Sequence, residues 1–194
     1  MTSRKKRPPG AGIRRGRGAT PATMDYKALI REVPDFPKPG ILFYDITTLL
    51  KDARAFRAIL DELAARYRGK RIDKIIGIES RGFILGGPLA DRLKTGFVPV
   101  RKPGKLPADS FEVKYNLEYG SNALAIHRDA VQMGEHVLVV DDLLATGGTA
   151  AATVHLLRQL GAKIIGVAFL VELVSLKGRE KLDGCPVFSL ITYQ

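Results

Sequence analysis

Short apolar runs and longer stretches of helical periodicity alternate along most of this chain. The apolar runs occupy residues 74–78, 96–100, 137–140, 164–170 and 187–191. Short length and flanking Gly, Pro or charged residues mark them as buried strands. Between the runs, residues 53–68 repeat apolar positions at helical spacing. Phe56, Ile59, Leu60 and Leu63 share one face, and Asp52 stands where a helix is capped. Residues 83–93 and 150–160 read as two further helices. Strands that alternate with helices predict an α/β fold with a central parallel sheet flanked by helices, because a parallel connection needs a long crossover. Residues 26–33 read as a short helix, broken by Pro34, Pro37 and Pro39, with Gly40 ending the turn. Residues 101–120 are basic, marked by Pro and Gly, and too poor in apolar residues to join the core.

Composition changes this picture mainly at the N-terminus. A length of 194 residues suits one domain with a sizeable core. The net charge is +11, but residues 1–23 hold seven cations and no acid, which leaves only +4 for the rest. That tail is rich in Gly and Pro and has no apolar periodicity, so it is expected to be disordered. Its charge could touch nucleic acid or an anionic surface, or be a solvated extension; Met24 reads as a natural start. Residues 24–194 then form a single domain. One cysteine, Cys185, excludes an internal disulfide and fits a reducing cytoplasm. No apolar run approaches the roughly 18 residues of a membrane span, and no secretory signal follows the basic start. His127, His136 and His155 have no metal-ligand spacing, and no Ser/His/Asp or Cys/His set is visible.

The chemistry concentrates in residues 137–149. An apolar run ends in Asp141 and Asp142, a short loop follows, and small residues lead into a helix. The N–H groups of Thr146, Gly147, Gly148 and Thr149 would be free at the helix start, where the dipole favours an anion. The two glycines let a phosphate come close to the backbone. The loop is not a Walker A motif, since GxxxxGK[ST] is absent. Paired carboxylates beside a phosphate cradle suit a ribose or a metal. A buried strand with acids at its exposed end gives the same spacing, although ligands favour the carboxyl ends of strands in such sheets. Ser80 and Arg81 lie in a second turn at the same sheet edge, where a guanidinium fork suits a pyrophosphate. Arg101, Lys102 and Lys105 pack three cations into five residues, as a solvated turn or a polyanion contact.

The run 137–149 resembles the motif for 5-phosphoribosyl-1-pyrophosphate (PRPP) in type I phosphoribosyltransferases. The resemblance implies that Asp141 and Asp142 hold the ribose hydroxyls, and that Ala145, Thr146, Gly147, Gly148 and Thr149 hold the 5′-phosphate. The turn at Ser80 and Arg81 resembles the pyrophosphate loop of that family, which often carries a non-proline cis peptide, expected here at Glu79–Ser80. Residues 36–46 resemble the hood of the adenine-specific branch, which implies purine contacts at Leu42, Phe43 and Tyr44. In that branch the basic stretch opens a flexible loop over the site. Arg101, with Lys102 and Lys105, then serves the pyrophosphate, Arg101 from the neighbouring subunit of a homodimer. The segment Leu117-Glu118-Tyr119-Gly120 closes the loop, and Glu118 inherits the general acid–base role. Enzymes for 6-oxopurines place an acid where this chain has Ala145, so a proton-transferring group must come from elsewhere, which again points to Glu118. The implied reaction is adenine plus PRPP giving AMP and pyrophosphate in the cytoplasm. Mg²⁺ would be carried mainly by PRPP, with no direct protein ligand. The rivals are a PRPP-sensing nucleic-acid-binding regulator and a xanthine or orotate enzyme. Residues 1–23 supply no folded DNA-reading element, so a nucleic-acid partner is not expected.

Overall fold

The computed structural model describes residues 24–117 and 120–194. The basic tail, residues 1–23, and Glu118 and Tyr119 lie outside the described residues. β1 (Arg31–Val33) and β2 (Phe43–Asp45) pair as a small antiparallel ribbon, followed by α1 (Thr47–Leu50) and α2 (Ala53–Tyr67). β3 (Lys74–Ile78), α3 (Arg81–Leu93) and β4 (Gly96–Val100) form one βαβ unit. β5 (Ser110–Leu117) and β6 (Gly120–His127) form an antiparallel hairpin. β7 (His136–Leu144), α4 (Gly148–Gln159) and β8 (Lys163–Leu173) form a second βαβ unit, and β9 (Val187–Tyr193) ends the chain. Among the described residues, the central sheet has five parallel strands in the order β4-β3-β7-β8-β9.

That order follows from two units wound outward in opposite directions from the β3–β7 pair. The loops after β3 and β7 therefore diverge, and a crevice opens at the carboxyl ends of these two strands. The register deepens it: β3 pairs with β7 only as far as Val140, whereas β7 pairs with β8 through Leu144. Asp141 and Asp142 emerge where one neighbour has stopped and the other continues.

Both faces of the sheet are covered, which explains its near-continuous apolar strands. Leu138 and Val140 pack on one face with Ile59, Leu63, Leu85 and Leu89 from α2 and α3. Val137 and Val139 pack on the other with Leu156 and Leu157 from α4 and with Leu124 and Ile126 from β6. Asp52 caps α2 as expected, its Oδ1 accepting the N–H groups of Arg54 and Ala55 at 2.9 Å.

Three expectations from the sequence need correction. Residues 26–33 are not a helix but a single 3-10 turn at Lys27–Leu29 followed by β1. Pro34 disfavours helical backbone at Val33, and pairing with β2 satisfies the strand instead. Residues 101–120 are not wholly outside the core: Phe111, Val113 and Tyr115 alternate along β5 and pack against the buried face that includes α4. Finally, the acids do not sit at an exposed strand end. Asp142 lies within β7 and is only 5% exposed.

Candidate active site

A cleft of about 390 Å³ lies over the carboxyl ends of β3 and β7. It brings together Ser80, Arg81, Asp141, Asp142, Ala145, Thr146, Gly147, Gly148 and Thr149, all singled out from sequence. Its floor is the acid pair. Arg81 Nε lies 2.8 Å from Asp142 Oδ2, yet that buried oxygen receives no hydrogen bond. A buried acceptor without a donor is costly, so this oxygen is open to a hydrogen bond from a group that enters the cleft. Burial pushes the Asp141 carboxyl well above the usual range, and the charge of Asp142 adds to the rise. Burial raises Asp142 too, against the pull of Arg81.

The wall beyond the acids is backbone. α4 starts at Gly148 with no side-chain cap, so its first N–H groups are open to a ligand. Gly147 has φ 77°, a left-handed backbone suited to glycine. A side chain there would overlap the Gly178 carbonyl, and one on Gly178 would overlap the Ala145 carbonyl. The loop is thus clasped backbone to backbone by the segment after β8. That segment is held by Arg179, whose Nε and Nη2 donate to the buried Glu172 carboxylate at 2.5 and 2.6 Å.

The opposite wall is made of charges. Glu79 lines the cleft at the end of β3, and the Glu79–Ser80 peptide is cis, as the sequence led us to expect. Its carboxylate accepts from Arg101 Nη2 at 3.2 Å, Lys102 N–H at 3.0 Å and Lys105 Nζ at 3.2 Å. Burial pushes Glu79 up, but these hydrogen bonds outweigh it and hold the carboxyl at about 2. Arg101 also pairs its backbone with Ala125 of β6, which ties the turn to the hairpin. Arg101, Lys102 and Lys105 therefore gather around the rim through Glu79 rather than lining the cleft of their own chain.

A second, more apolar pocket of about 350 Å³ adjoins at Arg81 and is lined by Val33, Phe36, Phe43, Asp45 and Thr47. The Phe36 and Phe43 rings meet edge to face at 5.1 Å, and the Arg81 guanidinium carbon lies 5.6 Å from the Phe43 centroid. Of the proposed purine contacts, Phe43 faces this pocket. Leu42 is exposed beside it, and Tyr44 points the other way, its ring 4.0 Å from that of Tyr193. The alternation of side chains along β2 sends Tyr44 inward when Phe43 faces out.

Sequence reasoning placed Phe36 in the hood and Glu79 in the turn before Ser80 without giving either side chain a role, and it missed Gly178 and the Glu172–Arg179 pair as parts of the site. The period-2 pattern of Phe111, Val113 and Tyr115 was a signal for β5. Nothing local to Gly178 signals its contact, which joins residues far apart in the chain.

This cleft over a parallel sheet defines a phosphoribosyl transferase domain, and the family model of that description matches residues 47–191. An adenine phosphoribosyltransferase of Acidobacterium capsulatum is 62% identical over 167 residues, spanning 86% of this chain and 92% of that protein. The crystal structure of the adenine phosphoribosyltransferase from Thermoanaerobacter pseudethanolicus superposes with a TM-score of 0.84 at 54% identity, covering 87% of this chain and 98% of that one. The Saccharomyces cerevisiae enzyme, complexed with D-2,5-dideoxy-2,5-imino-altritol 1,6-bisphosphate and adenine, gives 0.81 at 43% identity over 85% of this chain and 96% of its own. The chain belongs to the adenine phosphoribosyltransferase family. No helix among the described residues is long and apolar enough to cross a membrane.

Proposed function

We infer that this protein transfers the 5-phosphoribosyl group of PRPP to adenine, giving AMP and pyrophosphate. The observation that carries the inference is the junction at Arg81. One side of this arginine faces a cleft with an acid pair and an open helix start, and the other faces an aromatic pocket. A sugar phosphate fits the first and a flat base the second, so the anomeric carbon falls between them.

In the transfer, the C1′–O bond to pyrophosphate breaks and pyrophosphate keeps the electron pair. N9 of adenine forms the new bond to C1′, and the proton that the imidazole ring of the base gives up passes to Glu118. Positive charge builds on the ribose, and the acid pair below it places its carboxyl oxygens where they stabilise that charge. Arg81 stabilises the leaving polyanion, as does Arg101, which the family resemblance assigns to the partner's site in a homodimer. The gathering of Arg101, Lys102 and Lys105 around Glu79, outside their own cleft, supports that assignment. Glu118 is the acid–base group for the base, and Tyr119 belongs to the same loop.

Mg²⁺ accompanies PRPP. Among the described residues, no group of three or more His, Cys, Asp or Glu side chains is placed to hold a metal. We place the ion on substrate oxygens and waters, and Asp142 Oδ2, which takes no hydrogen bond although Arg81 lies 2.8 Å away, would accept from one of those waters. When bound, the ion neutralises charge on the leaving group. The free thiol of Cys185 suits the reducing cytoplasm in which we place the reaction.

The test is nucleotide formation from PRPP with adenine, hypoxanthine, guanine, xanthine and orotate in turn. Adenine alone should be converted at speed. Preference for another base, or no turnover with any, overturns the inference.

A further inference from the structure

Tyr115 stands on β5, and its ring is half-buried against the apolar face that includes α4. Its phenol reaches across to the first turn of α4, where its oxygen lies 3.1 Å from Thr149 Oγ1. Thr149 is the last residue of the phosphate loop. A threonine hydroxyl has one proton and two lone pairs. If the phenol donates to Thr149, the Thr149 proton is left over for an acceptor in the cleft. A phenol is the better donor of the two hydroxyls, so this direction is the favoured one once an anion is present. Hydrogen-bonded hydroxyls in series also polarise one another. The backbone carbonyl of Thr149 accepts the Thr153 hydroxyl at 3.0 Å, which ties this residue to the next turn of α4.

We propose that Tyr115 is a positioning residue that aims the Thr149 hydroxyl at the 5′-phosphate, by donating its own proton to Thr149 Oγ1. This rests on the reading of residues 145–149 as the phosphate loop. It gives the β5–β6 hairpin a direct connection to occupancy of that loop. The contact is made far from the anomeric bond, so it strengthens ground state and transition state alike and acts on affinity rather than on the chemical step.

Tyr115→Phe removes one oxygen and keeps the buried ring, so the fold is retained. The KM for PRPP should rise about threefold to tenfold, the usual effect of one hydrogen bond. The kcat should stay within about twofold. In a Thr149→Ala background the same Tyr115→Phe change should have no further effect, whereas in Thr149→Ser, which keeps the hydroxyl, the full effect should return. An unchanged KM in Tyr115→Phe, or an equal rise in the Thr149→Ala background, overturns the proposal. Calorimetry with ribose 5-phosphate on the same variants separates this from the inferred reaction. If the wild type binds ribose 5-phosphate with the expected coupling but forms no AMP, the reaction is wrong and the positioning role stands. If the wild type does not bind ribose 5-phosphate, the phosphate loop and the role of Tyr115 fall together.

Discussion

The two walls of the cleft are built on opposite principles. The wall after β7 is backbone clasped by backbone: Gly147 and Gly178 approach so closely that neither admits a side chain. The wall after β3 ends in one carboxylate, Glu79, which gathers Arg101, Lys102 and Lys105 at the rim outside the cleft. The backbone wall has a fixed shape and carries no net charge. The charged wall can rearrange, because two of its three contacts are long side chains on a carboxylate. A phosphate that stays on the product throughout suits the first. A pyrophosphate that must arrive and then leave suits the second.

The floor between the walls should give the largest effect. On the proposed function, replacing both acids, Asp141→Asn with Asp142→Asn, removes the two carboxyl groups that would hold the ribose hydroxyls. Affinity for PRPP measured by calorimetry should fall by about 10²–10⁴-fold. The same variant should melt no lower than the wild type, because burial and mutual repulsion, not an ion-pair network, dominate these carboxylates. A drop in Tm would show that the pair supports the fold.

Next comes the backbone wall. Gly178→Ala forces a methyl into the Ala145 carbonyl and should cost about 1–3 kcal/mol of stability, with the PRPP KM raised at least several-fold. Wild-type kinetics would mean that the clasp gives way freely. The charged wall should be more forgiving. Glu79→Gln keeps the shape but weakens its hold on Arg101 and Lys105, and should raise the PRPP KM by about tenfold or less with Tm little changed. An effect larger than that of Gly178→Ala would reverse the comparison.

The smallest effect is one of pH. The Glu79 carboxyl is held at about 2, and hydrogen bonds from Arg179 lower that of Glu172. Both groups bind protons more tightly in the unfolded chain. Their contribution to stability is therefore complete above roughly pH 4.5 and is lost as pH falls towards the folded values. Melting curves from pH 6 to pH 3 should fall less steeply for Glu172→Gln than for the wild type. Parallel slopes would remove the pair from the stability of the clasp.

The contrast between the walls also explains what the sequence could and could not tell. The α/β class, the helix after Asp52 and the cleft residues from Asp141 to Thr149 were legible because each rests on neighbours in the chain. The hairpin was obscured by the lysines, prolines and glycines around it, although Phe111, Val113 and Tyr115 carry a strand's alternation. The direction of the Tyr44 side chain was not legible, because alternation along a three-residue strand is too short to read. Glu79 was visible only as a polar turn residue, since its partners lie more than twenty positions away. Gly178 gave no signal, because a close approach between two backbones leaves no mark on either segment alone.

Arg81 has a consequence for inhibitor design. It borders the cleft on one side and the aromatic pocket on the other, and it leans over Phe43 while reaching towards Asp142. Two weak fragments, an aryl group and a phosphate, would each bind next to the same guanidinium. A linker passing that side chain turns the second binding event into an intramolecular one, at effective concentrations of about millimolar for a short flexible tether. Such a tether should carry an acceptor where it passes the guanidinium.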